Sequence, residues 1–385
     1  MKVLLVTRGY PQKHNKNLGL FEKDQALALM RAGHDVAYAV VDSRSIRKKR
    51  KFGYNKFVDE NGLRVFEINW PVGPMPRPLI EYFRSEALLS LYPHILEEFG
   101  RPDVVHAHFL NYAVISVKLC KKENLPLVIT EHSSFLSAPK YPKRIQNRAI
   151  RAYAPSDALI FVSNALRDNV KRQLGYSGCV IPNIVDVKYT TLPERKERTD
   201  GTVHFVSAGY LLKGKAFGLL ITAFEKVVRE EKDIKFYLDI WGDGPEKKNL
   251  EDLISRYHLE ERVRLRGVYS RNEIGKVYGD ADAFVLASEH ETFGVVYIEA
   301  MAFGLPVIAT RCGGPEDFVN EENGRLVECN NAEELAEAID YMGHNYSAYQ
   351  PGKIREAALS RFSSETVASQ ITEVYEKVLS KKEES

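Results

Sequence analysis

Two glutamates are the residues of this chain whose spacing most clearly predicts chemistry. Glu291 lies in a predicted turn, and Glu299 follows eight positions later inside a predicted helix at residues 295–303. Eight helical residues span about 12 Å, a length that suits an extended ligand at the helix N-terminus. Free backbone N–H groups at such an end favour a diphosphate, and carboxylates accept hydrogen bonds from sugar and ribose hydroxyls. The spacing therefore suits a ligand such as a sugar diphosphate nucleotide.

The residues around the two glutamates predict a strand, a helix and a second strand. An apolar run at residues 283–286 precedes them, another at residues 306–309 follows, and Gly304 is placed to end the helix. Two glutamates alone are more simply explained as a charge at the first helical turn and a solvated helix residue. The complete segment favours the ligand site.

Apolar runs of strand length recur along the whole chain, and helical patterns separate most of them. In the first half they lie at residues 3–7, 36–41, 63–69, 104–108, 127–130, 159–162 and 180–181. In the second half they lie at residues 203–208, 236–241, 263–266, 283–286, 307–309 and 326–327. Strands that alternate with helices indicate parallel sheets covered on both faces. We therefore expect an α/β fold of two doubly wound Rossmann-like domains facing across a cleft.

The expected boundary between the domains follows from a charged, proline-containing stretch of weak pattern near residues 186–200. The prediction is a first domain at residues 1–187, a second domain at residues 188–362, and a C-terminal helix at residues 363–385.

Charge is unevenly distributed although the net charge is only +2. Residues 1–195 hold 30 Lys and Arg against 18 Asp and Glu, whereas the remaining residues hold 24 against 34. A basic half can attract a phosphorylated acceptor or an anionic membrane. Basic runs with interspersed apolar residues, at 44–54 and 140–151, suit a peripheral membrane contact, and solvated loops or helix faces are the alternative.

Composition and cysteine spacing narrow the class of protein. The chain is 44% apolar and 28% charged, as in globular proteins, and no apolar run reaches the roughly 20 residues of a membrane span. Its four cysteines show neither metal-type nor disulfide-type spacing. We expect no signal peptide and a cytoplasmic location, with peripheral contact at the inner face of the membrane.

Several polar residues end the predicted strands of the first half, where open α/β sheets bind ligands. Gly19, in the turn after the first strand, would let an acceptor or a donor phosphate approach the backbone. His132 and His108 point toward the same edge, whereas His106 is expected to be structural and Glu131 has no assigned role. The turn lacks a G-x-G-x-x-G pattern, which argues against a dehydrogenase.

The segment around the two glutamates resembles the E-x7-E segment of retaining glycosyltransferases of family 4. Residues 242–245 resemble the family's GDGP turn, and residues 313–316 resemble its GG-x-E loop. Residues 209–211 resemble its Gly-Arg-Leu turn, with Tyr210 in place of the arginine. Residues 181–186 resemble its IPNGVD segment, with Ile184 in place of the glycine. The resemblance extends over nearly the whole chain.

The resemblance implies a two-domain GT-B enzyme that transfers a sugar with retention of configuration. It implies that residues 1–187 form the acceptor-side domain, that residues 188–362 form the nucleotide-sugar domain, and that the C-terminal helix at residues 363–385 packs back on the first domain. It assigns His132 to the donor sugar, Lys215 to the diphosphate with Lys213 as an alternative, and Glu291 to sugar hydroxyls. The other donor-binding residues that it implies are Gly19, Gly209, Gly242, Gly244, Val268, Thr292, Phe293, Gly294, Val295 and Glu299. Glu291 is not expected to act as a covalent nucleophile.

Partners and cofactors follow from the same reasoning. Asp280 and Asp282 do not form a convincing metal clamp, so we expect leaving-group charge to be balanced by a lysine and a helix dipole, without metal or cofactor. The donor is a UDP- or GDP-linked sugar, and the acceptor is a sugar or a lipid-linked sugar in cell-surface polysaccharide or glycolipid synthesis. No nucleic-acid partner is expected.

Other functions remain open from the sequence. An epimerase or a phosphorylase could share the architecture, although no pyridoxal lysine motif is present. A nucleotide-sugar-binding protein without turnover is the third alternative, and Tyr210 in place of arginine is its one support.

Overall fold

The structure, a computed structural model, describes residues 1–11, 18–43, 52–185 and 201–383. The chain divides into two compact units, the first formed by Met1–Ile184 with Ser364–Ser385 and the second by Val185–Ser363. Residues 44–51 of the basic run at residues 44–54, and the predicted linker at residues 186–200, lie outside the described residues.

An eight-stranded sheet forms the centre of the first unit. Its strands are β1 (Lys2–Thr7), β2 (Asp35–Asp42), β3 (Gly53–Val58), β4 (Arg64–Asn69), β5 (Val104–His108), β6 (Leu127–Glu131), β7 (Ala158–Phe161) and β8 (Cys179–Val180). They lie in the order β3-β4-β2-β1-β5-β6-β7-β8, and only the pair β3 and β4 is antiparallel. The strand order reverses between β1 and β5, which creates a topological switch point at their carboxyl ends.

Helices connect the strands of the first unit. They are α1 (Leu20–Arg31), α2 (Arg77–Phe99), α3 (Phe109–Glu123), α4 (Lys143–Tyr153) and α5 (Asn164–Leu174). The strands β1, β5 and β6 are buried along almost their whole length, as expected for parallel strands covered on both faces. The predicted fold class is confirmed for this half of the chain.

A six-stranded parallel sheet forms the centre of the second unit. Its strands are β9 (Thr202–Ala208), β10 (Lys235–Trp241), β11 (Val263–Gly267), β12 (Ala283–Leu286), β13 (Val307–Thr310) and β14 (Gly324–Val327). They lie in the order β11-β10-β9-β12-β13-β14. Its helices are α6 (Phe217–Glu230), α7 (Lys247–Arg256), α8 (Ile274–Tyr278), α9 (Val295–Ala302), α10 (Ala332–Asn345) and α11 (Pro351–Phe362). The switch point lies between β9 and β12.

The last helix, α12 (Ser364–Glu383), packs into the core of the first unit. Its buried side chains include Ile371 and Tyr375, which join the cluster formed by Leu29 and the strands β1 and β2. The Tyr375 hydroxyl lies 2.6 Å from Nδ1 of His106, and His106 Nε2 lies 2.7 Å from Thr130. These contacts explain His106 as a structural residue.

The expectations about membrane spans and about the cysteines can be compared directly with the structure. None of the helices in the described part of the chain is both long and apolar enough to cross a membrane. All four cysteines are free thiols, as their spacing predicted.

Candidate active site

Most of the predicted donor residues lie in the turns after β9 and β12 or in the helix α9 that follows β12, at the switch point of the second sheet. Parallel pairing of Ala283 with Phe205 and of Phe284 with Val206 places the ends of these strands side by side. The carboxyl ends of neighbouring parallel strands at such a point form the usual ligand-binding crevice of an open α/β sheet.

The turn that contains Glu291 is held by the loop after β13. The Glu291 N–H donates to the carbonyl of Cys312 at 3.0 Å, and the Gly314 N–H donates to the carbonyl of Glu291 at 2.9 Å. A Cβ on Gly314 would lie 2.3 Å from Cα of Phe293, so only glycine permits this approach. The backbone of Glu291 is therefore fixed by the protein itself.

The carboxylate of Glu291 is held by two side chains. Its Oε1 accepts from the ammonium group of Lys215 and from the Ser288 hydroxyl, which lies at 2.8 Å. The Thr310 hydroxyl in turn donates to the carbonyl of Ser288 at 2.5 Å. Sequence reasoning missed Ser288 and Thr310, although Ser288 stands only three residues before Glu291.

The structure distinguishes the two candidate lysines. Both lie in the short 3₁₀ turn Lys213–Lys215 before α6, but only Lys215 reaches Glu291. Its side chain remains 26% exposed. Lys213 instead lines a cavity of about 210 Å³ that Glu246 also lines. The geometry therefore favours Lys215 as the cation that accompanies Glu291.

The N-terminus of α9 offers unpaired backbone donors beside this ion pair. Gly294 precedes the helix with φ of 99°, and a Cβ there would lie 2.7 Å from the ring of Tyr297. No hydrogen bond to a described acceptor is made by the backbone N–H groups of Thr292, Phe293, Gly294 and Val295. Such N–H groups, together with the helix dipole, attract anions.

Phe293 contributes to this segment through its backbone only. Its side chain is buried against the rings of Phe318 and Phe362, at 5.4 and 5.7 Å between ring centroids. The predicted contact of Phe293 with a ligand is therefore restricted to its main chain.

Glu299 is positioned by a tyrosine that the sequence did not indicate. The Tyr278 hydroxyl donates to Oε2 of Glu299 at 3.0 Å. Burial raises the pKa of Tyr278 well above its ordinary value, which keeps the hydroxyl protonated as a donor. Tyr297 anchors the same helix, because its hydroxyl donates to the carbonyl of Leu286 in β12 at 2.8 Å.

Close packing between turns explains the glycines after β9 and β10. A Cβ on Gly242 would lie 1.9 Å from the carbonyl oxygen of Gly209, and one on Gly244 would lie 2.5 Å from that of Leu211. The Gly209 N–H donates to the carbonyl of Trp241 at 2.9 Å. These glycines fit the turns together, and their predicted contact with a nucleotide stays a prediction.

Three large apolar side chains are exposed near the carboxyl ends of β9 and β11. They are Tyr210, Leu212 and Val268, which are 60%, 44% and 73% exposed. Val268 was a predicted donor residue, and Tyr210 stands where the family arginine was expected.

In the first unit, two predicted histidines lie together at the carboxyl ends of β5 and β6. Nδ1 of His108 lies 3.1 Å from Nε2 of His132. Burial, and secondarily the charge of Arg8, lowers the pKa of His108 to about 3. Burial likewise holds the pKa of His132 well below its ordinary value, with His108 as the second cause. Both imidazoles are therefore neutral at physiological pH.

Glu131, which had no assigned role, has a structural one. Its carboxylate accepts from the N–H groups of Ser133 and Leu110, at 2.8 and 3.3 Å, and from the Tyr153 hydroxyl at 2.7 Å. Burial raises the pKa of this carboxyl group. Glu131 thus ties β6 to the start of α3.

Gly19 is also closely packed against neighbouring residues of the first unit. It has φ of 77°, and a Cβ there would lie 1.9 Å from the carbonyl oxygen of Gly9. The Tyr38 hydroxyl donates to the carbonyls of Gly9 and Gly19, at 2.9 and 3.1 Å. The glycine is thus explained by the packing of the turn, and its proposed contact with a phosphate remains a prediction.

The prediction that apolar residues of the second basic run, at residues 140–151, contact a membrane is wrong for two of them. Tyr141 and Ile145, the apolar residues within the second basic run, are 1% and 7% exposed and belong to the core. Arg148 of the same run is buried in an ion pair with Glu81. Ile150, at 43% exposure, is the apolar residue of α4 that does face solvent.

Asp282, one of the two acidic residues considered for a metal clamp, has a structural contact. The Asp282 carboxylate accepts the N–H of His204 at 2.8 Å. Among the described residues, three side chains of metal-ligand type come within 4.8 Å of one another at Glu231, Asp340 and His344. Glu231 follows the end of α6, whereas Lys215 precedes its start, and 14 helical residues span about 21 Å.

Comparisons with known proteins agree with this architecture. Residues 23–189 match the family model Glycosyltransferase Family 4, and residues 189–359 match the model Glycosyl transferases group 1. The chain is 26% identical over 367 residues to TuaC of Bacillus subtilis (strain 168), assigned as a teichuronic acid biosynthesis glycosyltransferase, covering 89% of this chain and 90% of TuaC.

Solved structures share the fold. The sucrose-phosphate synthase of Thermosynechococcus elongatus superposes with a TM-score of 0.78 at 21% identity, covering 98% of this chain and 99% of that one. The Anabaena protein HepE, solved in complex with UDP, has a TM-score of 0.74 at 19% identity over 98% and 100% of the two chains. With the two family models, these likenesses show that the chain belongs to the family 4 type of glycosyltransferases and has the GT-B fold.

Proposed function

We propose that the protein transfers a sugar from a UDP- or GDP-linked donor to an acceptor hydroxyl, with retention of the anomeric configuration. The observation that carries the proposal is the ion pair between Lys215 and Glu291 beside the unpaired amides that begin α9. A cation and a row of N–H donors suit a diphosphate, and the neighbouring carboxylate suits sugar hydroxyls. HepE, which shares the fold, was solved with UDP.

The proposed roles follow from the geometry of the second unit. The amides of residues 292–295 and Lys215 bind the diphosphate, and Glu291 accepts hydrogen bonds from the transferred sugar. Glu299, oriented by Tyr278, accepts hydrogen bonds from the ribose. Val268 and Tyr210 lie beside these turns and supply apolar surface for the base. His132 of the first unit, neutral because it is buried, offers a hydrogen bond to the donor sugar.

The reaction exchanges one bond at the anomeric carbon for another and moves one proton. The acceptor oxygen bonds to the anomeric carbon as the bond from that carbon to the diphosphate oxygen breaks, and the electron pair of that bond leaves with the diphosphate. The acceptor proton passes to the departing diphosphate. Attack on the face that the diphosphate leaves retains the configuration without a protein nucleophile. Lys215 and the N–H groups of α9 stabilise the charge that develops on the leaving group.

The proposed biological setting is cell-surface polysaccharide or glycolipid synthesis. TuaC, which matches nine-tenths of the chain, is assigned to teichuronic acid biosynthesis. The excess of basic residues in the first 195 positions supports a phosphorylated or lipid-linked acceptor and a peripheral contact with an anionic membrane. Replacing Arg47, Lys48, Lys49 and Arg50, all outside the described residues, with serine should weaken binding to anionic liposomes. Unchanged binding would leave a soluble acceptor equally well supported.

The test of the proposal begins with the donor. Thermal shift with UDP, GDP and their sugar derivatives identifies the base, and the radiolabelled donor is then incubated with the protein and candidate acceptors. Transfer of label supports the proposal, isomerisation of the donor indicates an epimerase, and binding alone indicates a protein without turnover. The anomeric proton coupling of the product, measured by NMR, tests retention.

A further inference from the structure

The carboxyl edge of the first sheet contains an arginine that the proposed donor chemistry does not use. Arg8 follows β1 at the switch point between β1 and β5. Its Nε lies 3.0 Å from Oε1 of Glu22, a fully buried carboxylate of α1. Its guanidinium carbon lies 4.8 Å from the ring centre of Phe109. Two groups of its own unit therefore hold the side chain in place.

The terminal nitrogens of Arg8 have no hydrogen-bond partner among the residues that the structure describes. Nε is buried, and 32% of the side chain as a whole is exposed. Among the described residues, Glu22 is the one carboxylate that forms an ion pair with Arg8. Two terminal nitrogens with parallel N–H bonds match the oxygens of a phosphate or a carboxylate.

Backbone strain supports a functional reading of this arrangement. Phe109 has φ of 65°, in the left-handed region that residues with a side chain avoid. The strained residue places its ring against Arg8 on one side and 4.8 Å from the ring of His132 on the other. Strain of this kind is retained chiefly at functional sites.

Arg8 places a positive charge at this edge, next to two described histidines that carry none. Burial keeps His108 and His132 uncharged, because it lowers the pKa of both imidazoles. The excess of basic residues in this half of the chain further favours the approach of an anion.

We infer that Arg8 binds an anionic group of the acceptor, a phosphate or a carboxylate, and so selects charged acceptors over neutral ones. The inference rests on the proposed glycosyl transfer, because it names the class of acceptor. Arg8 binds and orients the acceptor through this group and takes no part in bond making.

The test uses inorganic phosphate and malonate as probes of the full-length protein. A saturating concentration of UDP or GDP, whichever of them binds in the thermal-shift experiment, is present throughout so that the diphosphate site of the second unit is blocked. Phosphate binding is followed by ³¹P line broadening and malonate binding by saturation-transfer NMR, and the stronger probe distinguishes a phosphate from a carboxylate acceptor. The variant Arg8→Gln is expected to weaken the preferred probe at least tenfold.

Matched variants separate charge recognition from loss of folding. Arg8→Gln/Glu22→Gln removes both charges, leaves no unpaired buried carboxylate, and should lose binding as Arg8→Gln does. Glu22→Gln alone keeps Arg8 and should bind the probe at least as tightly as the wild type. Arg64→Gln is the control, because Arg64 also pairs with a carboxylate (Asp35, 3.4 Å) and stacks on a ring (Phe99, 5.5 Å), but at the start of β4.

The outcomes distinguish this inference from the proposed function. Three results would overturn the Arg8 site. The Arg8→Gln/Glu22→Gln variant could still bind the probe, the Arg64→Gln variant could lose binding equally, or the wild type could fail to bind the probe. Binding of UDP or GDP, measured separately in each variant, should be unaffected by Arg8. Wild-type protein that binds neither UDP nor GDP would overturn the proposed transfer itself.

Discussion

The ammonium group of Lys215 forms an ion pair with the carboxylate of Glu291, 76 positions further along the chain. The pairing of β9 with β12 brings them together, because Lys215 follows the first strand and Glu291 follows the second. The lysine is therefore held beside the turn that leads into α9, and part of its side chain is exposed. The pair places a cation next to the amides that the proposed diphosphate would contact.

The first prediction concerns that cation. Lys215→Gln should lower kcat/KM for the donor at least tenfold, because a hydrogen bond between charged groups is worth about 1.5–3 kcal/mol. Stability should change by about 1 kcal/mol or less, since the lysine is partly exposed. Lys213→Gln is the matched control, as it removes the same charge from the same turn. Equal losses in both variants would show that the lysines are not distinguished as the geometry indicates.

The second prediction separates the two glutamates from the tyrosine that orients one of them. Glu291→Ala and Glu299→Gln should each reduce turnover at least tenfold with little change in Tm. Tyr278→Phe removes one hydrogen bond to Glu299 and should raise the donor KM several-fold while kcat stays close to the wild-type value. Steady-state kinetics and thermal unfolding, measured on the same samples, test these expected changes in turnover, KM and Tm. Near wild-type activity of Glu291→Ala and Glu299→Gln would remove the donor-site assignment.

The sequence predicted Glu299 as a site residue but did not predict Tyr278, which donates a hydrogen bond to it. The strand–helix–strand unit around the glutamates was predictable, because apolar runs and Gly304 mark its boundaries locally. Gly304 indeed ends α9 with φ of 72°. Tyr278 was not predictable, since its contact with Glu299 depends on how α8 packs on α9, which no local pattern encodes.

The strand β3 was missed for a different physical reason. It is the antiparallel edge strand of its sheet, and several of its side chains are exposed, so it lacks the continuous apolar run of a central strand. Tyr141 and Ile145 were misplaced for a related reason. Their neighbours in sequence are basic, and only the packing of α4 shows that these two side chains face the core.

The third prediction concerns divalent metal. Transfer should persist in EDTA, because Lys215 and the amides of α9 supply the positive charge for the leaving group. The Glu231, Asp340 and His344 cluster lies at the far end of α6, so His344→Asn should leave activity unchanged and serves as a control. Activity that EDTA abolishes and Mg²⁺ or Mn²⁺ restores would contradict this prediction.

The fourth prediction concerns the stability of the first unit in acid. Burial lowers the pKa of His108 from about 6.5 in the unfolded chain to about 3 in the folded one. Between these values the unfolded chain binds a proton that the folded unit does not, so the free energy of unfolding decreases as pH falls. His106, whose ring centroid is 4.7 Å away, and His132, at 5.4 Å, have lowered pKa values and act in the same direction.

The measurement for this prediction is Tm between pH 7 and pH 5, with His108→Asn as the variant. Asparagine has no proton to bind in this range, so the fall of Tm with decreasing pH should be shallower in the variant, by up to one proton's contribution, about 1.4 kcal/mol per pH unit. His290→Asn is a suitable control, because His290 lies in the second unit, in the turn after β12. A Tm profile of His108→Asn that parallels the wild type would show that His108 is protonated equally in the folded and unfolded chains, and its burial would then not govern the acid response.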